Sequence, residues 1–78
     1  MNKNQIEKAI KAKFNVRDLK MEKDGVYWWF ILESDHGGES DDILTSYTKL
    51  DQNSLEEWVH IFQIQYTYHF GFSPTLKG

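Results

Sequence analysis

The stretch Asp24-Gly25-Val26-Tyr27-Trp28-Trp29-Phe30-Ile31-Leu32 constrains this chain most. Seven consecutive β-branched, aromatic or aliphatic residues follow a two-residue turn signal. Asp-Gly marks a hairpin, because a type I′ turn needs positive φ at both central positions. With Asp24 and Gly25 as the loop, Lys23 is expected opposite Val26, Glu22 opposite Tyr27, Met21 opposite Trp28, Lys20 opposite Trp29 and Leu19 opposite Phe30. Strand side chains alternate between faces. One face then carries Leu19, Met21, Trp28, Phe30 and Leu32, all apolar. The other carries Lys20, Glu22, Tyr27, Trp29 and Ile31, a mixture of charge and aromatic surface. A slip of one residue mixes the two sets, so their separation supports the pairing.

The remainder of the chain supplies what pairs with this strand or covers it. Asn4-Gln5-Ile6-Glu7 has the form of a cap with Glu at the third helical position. Ile6, Ala9, Ile10 and Phe14 form an apolar stripe at helical spacing. A helix is expected from about Gln5 to Lys13, then a first strand over Arg17–Lys23 and a second over Tyr27–Glu33. Residues 33–42 contain five acids and two glycines, the composition of a solvated loop. Ile43–Thr48 has the composition of a third strand.

Two caps are available for the next helix: Ser54 with Glu57 as a capping box, or Asp51 with Leu50 stapled on Leu55. The stretch Leu55–Phe70 carries two signals. Leu55, Trp58, Val59, Phe62 and Tyr66 follow a helical stripe, whereas residues 62–70 also alternate as a strand does. The lack of Gly or Pro before Gly71, with Pro74 following, favours helix to residue 70. A short helix followed by a fourth strand is the alternative. Residues 71–78 are expected as a loose tail, with Phe72 and Leu76 tucked down. The fold class is α+β, in the order α-β-β-β-α, a three-stranded antiparallel sheet with two helices in one domain.

At 78 residues without a cysteine, the core must rest on its aromatic side chains. The absent cysteines fit an intracellular, cytoplasmic protein. No secretory signal and no apolar run of about 20 residues is visible, so no membrane partner is expected. The net charge is −3, unevenly spread. Residues 1–23 hold seven Lys/Arg and three acids; residues 24–78 hold two Lys and nine acids. An acidic body argues against binding phosphate backbones and favours a basic partner.

Sites of chemistry are scarce. The 33–42 stretch lacks the ligand spacing of an EF-hand loop. His60 and His69 point to opposite sides of a helix, which is not a zinc arrangement. Asp35-His36 has no accompanying nucleophile. No metal, cofactor or enzymatic activity is therefore expected.

Two surfaces stand out instead. Glu33, Asp35, Glu39, Asp41, Asp42, Glu56 and Glu57 form an acidic series that mimics a run of phosphates to a Lys/Arg-rich surface. Tyr27, Trp29 and Tyr47 are the expected aromatic anchors, provided that no helix covers their face. In size, acidity and lack of catalytic groups, the chain resembles the small inhibitors that phages and mobile elements encode against host defence nucleases, such as anti-CRISPR or anti-restriction proteins. The likeness is one of general character and supplies no site residue. It implies a non-enzymatic module that occludes a basic nucleic-acid-binding surface.

Two alternatives accompany it. One is a structural or regulatory homodimer joined through the second helix, which carries Ile61, Ile64, Tyr68 and Phe70 besides its stripe, or through the sheet face. The other is a nucleic-acid-binding module using Lys8, Lys11, Lys13, Arg17, Lys20 and Lys23 beside the aromatic sheet.

Overall fold

The computed structural model describes residues 1–16, 18–33 and 40–77. Helix α1 (Lys3–Lys13) begins two residues earlier than its sequence suggests. Asn2, not Asn4, caps it. The Asn2 side-chain oxygen accepts the Gln5 N–H at 3.0 Å, and the Gln5 side chain accepts the Asn2 N–H at 3.0 Å. Glu7 is released from capping by this shift. Its carboxylate accepts the Met21 N–H at 2.7 Å, tying α1 to the first strand.

Strands β1 (Lys20–Asp24), β2 (Tyr27–Glu33) and β3 (Ser40–Leu44) form an antiparallel sheet in the order β1-β2-β3. β1 starts at Lys20, three residues later than expected, since Asp18 just before it has φ +53° and cannot extend a strand. The hairpin loop is Gly25-Val26 rather than Asp24-Gly25, and Asp24 pairs with Tyr27. Gly25 has φ +70°, while Val26 stays outside the left-handed region. Positive φ at the first central position alone is the type II′ requirement, so the turn needs one glycine and leaves Asp24 free for the ladder. The pairing consequently moves by two residues: Met21 faces Phe30, Glu22 faces Trp29 and Lys20 faces Ile31. An even shift preserves the faces, so the expected division into core and outer sets holds although the expected partners do not.

β3 also differs from expectation. It covers Ser40–Leu44, whereas composition assigns residues 40–42 to a loop and the strand to Ile43–Thr48. The seven-residue β2 offers partners as far as Glu33, which pairs with Ser40. Past Leu44 the chain leaves regular pairing. Ser46 has φ +66°, and the Trp28 N–H donates to the Tyr47 carbonyl at 2.9 Å instead of to Thr45. Thr45 remains buried, and its hydroxyl donates to the Trp28 carbonyl at 2.6 Å.

Helix α2 (Leu55–Phe70) is continuous, so the alternative of a short helix and a fourth strand is not what forms. Ser54 is the cap, with the reciprocal Glu57 bond expected of a capping box. Gly71 closes the helix at φ +81°, its N–H donating to the Thr67 carbonyl at 2.8 Å. Helix wins over alternation because the core side of α2 is defined by Trp58, Val59 and Phe62, a helical spacing. The Trp58 indole N–H donates to the Leu50 carbonyl at 2.8 Å, which fixes the connection into α2.

The core is a single cluster between the helices and one sheet face. Ile6, Ile10 and Phe14 from the α1 side meet Leu19, Met21, Phe30, Leu32 and Ile43 from the sheet side, and Trp58, Val59 and Phe62 from α2. Phe30 stands edge-on to both Trp58 and Phe62, an arrangement favoured by the ring quadrupoles.

The closing segment is not loose. The Asn15 N–H donates to the Thr75 carbonyl at 2.7 Å, that of Lys77 to the Lys13 carbonyl at 2.9 Å, and Pro74 is buried. Phe72 and Leu76, expected inside, are exposed. Backbone bonding rather than burial of these two side chains holds the segment down.

Candidate functional site

Both helices share the core face of the sheet, so no described helix lies over Trp29. The opposite face is built by strand alternation alone. Across β1, β2 and β3 it shows Lys20, Ile31 and Asp42 in one row and Glu22, Trp29 and Leu44 in the next. Asp24 and Tyr27 complete it at the hairpin end. Tyr27 is 44% and Leu44 38% exposed; Trp29 and Ile31 are half-buried. A shallow depression on this face is lined by Glu22, Lys23, Asp24, Trp29, Ile31 and Asp42. Apolar and aromatic surface thus occupies the centre, and Glu22, Asp24 and Asp42 lie around it with Lys20 and Lys23 among them.

Among the described residues, Asp41, Asp42, Glu56 and Glu57 of the expected acidic series are spread over different surfaces. Tyr27, Trp29 and Asp42 meet on this outer face. Asp41, one residue away, falls to the core side at its rim, where its Oδ1 lies 3.7 Å from His69 Nε2. Tyr66 feels the same carboxylate: its hydroxyl is held above the usual tyrosine range by burial first and by the Asp41 charge second. Tyr47 is not on the outer face at all: it packs on Trp58 at 5.4 Å between ring centres, half-buried.

Glu56 is exposed on the first turn of α2. Its neighbour Glu57 accepts the Ser54 backbone N–H at 3.0 Å, and this bond, followed by the Ser54 side-chain contact, lowers its pKa against a smaller opposing desolvation. Glu33 ends β2 opposite Ser40. Arg17, Asp35, His36 and Glu39 lie outside the described residues.

Two outer-face residues carry no local signal of that role. Asp24 and Leu44 join Glu22, Trp29 and Tyr27 only through the cross-strand partners that the observed pairing gives them. For Leu44 the missing signal is the true start of β3, which its acidic residues disguise as loop.

A second exposed apolar surface runs along α2. His60, Gln63, Ile64, Thr67 and Tyr68 line it, with Ile64 51% and Tyr68 90% exposed. His69 sits on the other side of the helix, near Asp41, so the two histidines diverge as expected. The described lysines of the N-terminal part are dispersed over α1 and β1, and Lys13 lies over the Phe14 ring at 5.4 Å. Among the described residues, no group of three His, Cys, Asp or Glu side chains is placed to hold a metal ion. Among the same residues, no helix is long and apolar enough to cross a membrane. Comparison with protein-family models, with curated proteins and with solved structures finds no match for this chain.

Proposed function

We propose that this protein is a non-enzymatic binding module whose outer sheet face occludes a basic, nucleic-acid-binding surface of a partner protein. The observation that carries the reading is that face itself. Tyr27, Trp29, Ile31 and Leu44 form an aromatic and aliphatic centre under no described helix, with Glu22, Asp24 and Asp42 around it against Lys20 and Lys23. Protein interfaces share this anatomy, an apolar centre within a polar rim, and aromatic anchors carry much of their energy. The carboxylates attract Lys/Arg and set the approach, while the rings supply the contact that persists after docking. The likeness in size and acidity to phage-encoded inhibitors of defence nucleases points to the same class of partner.

Capture from the native host tests it with three chains: wild type, a Tyr27→Ser/Trp29→Ser variant and an Ile64→Ser/Tyr68→Ser variant, each with an unchanged circular dichroism spectrum. A nucleic-acid-binding protein held by wild type and the α2 variant, lost by the sheet-face variant and released by salt, is the expected outcome. Retention by the sheet-face variant overturns the reading.

The exposed Ile64 and Tyr68 favour a second reading, a homodimer joined through α2. An apolar helix face of this kind normally meets another protein surface.

A further inference from the structure

The two edges of the sheet are finished differently. The Thr45 N–H donates to the Trp28 carbonyl at 3.1 Å, which sets the phase of the β2–β3 ladder. Backbone groups of an antiparallel strand alternate between its two sides. Ile43 and Asp41 therefore bond toward β2, and the N–H and C=O groups of Asp42 and Leu44 point away from the sheet. On β2 the alternate residues face β1, so Glu22 and Lys20 bond inward and Met21 points out. That outer side of β1 is occupied at Met21, whose N–H is taken by Glu7 of α1 at 2.7 Å. No described residue does the same for Asp42 or Leu44, which lie exposed on β3.

An unpaired edge is a template for another strand. The side chains along this one state what such a strand must carry. Asp42 and Leu44 project on the outer face and are exposed, while on the core side Asp41 is partly exposed and Ile43 is buried, so charge occupies one half of the edge and Leu44 is the aliphatic surface of the other. We propose that the free edge of β3 accepts an extended segment of the partner as a fourth strand, with Lys or Arg beside Asp41 and Asp42 and an aliphatic residue beside the exposed Leu44. This rests on the reading of a basic partner and gives that partner a backbone-paired contact next to the Trp29 surface.

A second copy fits less well. Antiparallel pairing of β3 with β3 over its full length sets Asp42 of one copy directly opposite Asp42 of the other, and like charges across a strand pair destabilise it. Pairing β3 with β1 would have to displace the Glu7 carboxylate from the Met21 N–H.

Short synthetic peptides with a Val-Val-Arg-Arg or Arg-Arg-Val-Val centre, one for each strand direction, are the probe. Each has a twin N-methylated at the residues whose N–H would face β3, which keeps charge and side chains but removes donors. At low salt one parent peptide is expected to bind and to protect the Asp42 and Leu44 amides from hydrogen exchange. Its N-methylated twin is expected to bind about tenfold more weakly or worse, the loss of hydrogen bonds at an otherwise unchanged contact.

Leu44→Pro, which removes an outward N–H without touching the β2 ladder, should abolish binding, whereas Leu44→Thr should retain it. Should Leu44→Pro fail to fold, the difference between parent and twin on the wild-type chain decides. Equal binding of parent and twin, protection mapped elsewhere, or no peptide binding overturns the edge contact. A partner still captured through Trp29 in that case leaves the sheet-face reading standing.

Discussion

Asp41 and Asp42 are adjacent and chemically identical, yet alternation sends Asp42 to the outer face and Asp41 to the rim beside His69. The consequence is measurable at Tyr66, whose pKa is raised by burial and by Asp41. A pKa raised on folding contributes stability that is complete below the unfolded tyrosine value of about 10 and is lost as pH rises through the folded value. Asp41→Asn should lower the pH at which the Tyr66 ring ionises without returning it to the ordinary value, since burial persists. NMR titration of the tyrosine rings reads this directly; an unmoved Tyr66 would show that the Asp41 charge does not reach it. Glu7 shows the same sensitivity to placement: a residue suited to helix capping serves instead to occupy a sheet edge at Met21.

Among the elements, α2 depends most on its ends. A helix of 16 residues stops at Gly71, whose φ of +81° is strained for any residue with a Cβ. Space is not the obstacle, because nothing lies within 4 Å of a Cβ built there. Gly71→Ala should therefore cost about 1–2 kcal/mol through backbone conformation alone. Gly71→Asn should cost less. Urea unfolding checks this, with a lowered midpoint and an unchanged slope expected; an unaffected midpoint would mean that the helix end rearranges around the substitution. The strands show the opposite dependence. β3 has acidic residues of low strand propensity, and its extent follows from the length of β2, not from its own composition.

For the whole molecule, the decisive fact is that both helices pack on one side. The core is sufficient for a small domain only because it concentrates Phe14, Phe30, Trp58 and Phe62 between those helices and one sheet face. What remains outside is a sheet face, a sheet edge and the outward stripe of α2. Oligomeric state separates their uses. A homodimer through α2 should sediment as a dimer at concentrations on the order of tens of micromolar, the range in which a modest apolar contact associates. It should become a monomer in Ile64→Ser/Tyr68→Ser, with the fold unchanged. A wild-type monomer at that concentration removes the dimer and leaves both the stripe and the sheet face free.

The order of elements, the helix to residue 70 and the identity of the two faces of β2 are legible in the residues, because each follows from local periodicity, whereas the choice of Ser54 over Asp51 as cap is made by the fold. The exact pairing is not, because a type I′ and a type II′ turn both satisfy the same glycine, and here they differ by a shift that leaves the faces intact. Nor is β3, whose acids look like loop until β2 offers them partners. Residue order alone is enough to put Tyr27, Trp29 and Ile31 on one face and Trp28, Phe30 and Leu32 on the other, since alternation is a property of the extended backbone. It is not enough to say that the first set stays open, or that the outer edge of β1 is taken at Met21. Those outcomes depend on where two helices pack and which carboxylate reaches Met21, contacts between residues far apart in the chain.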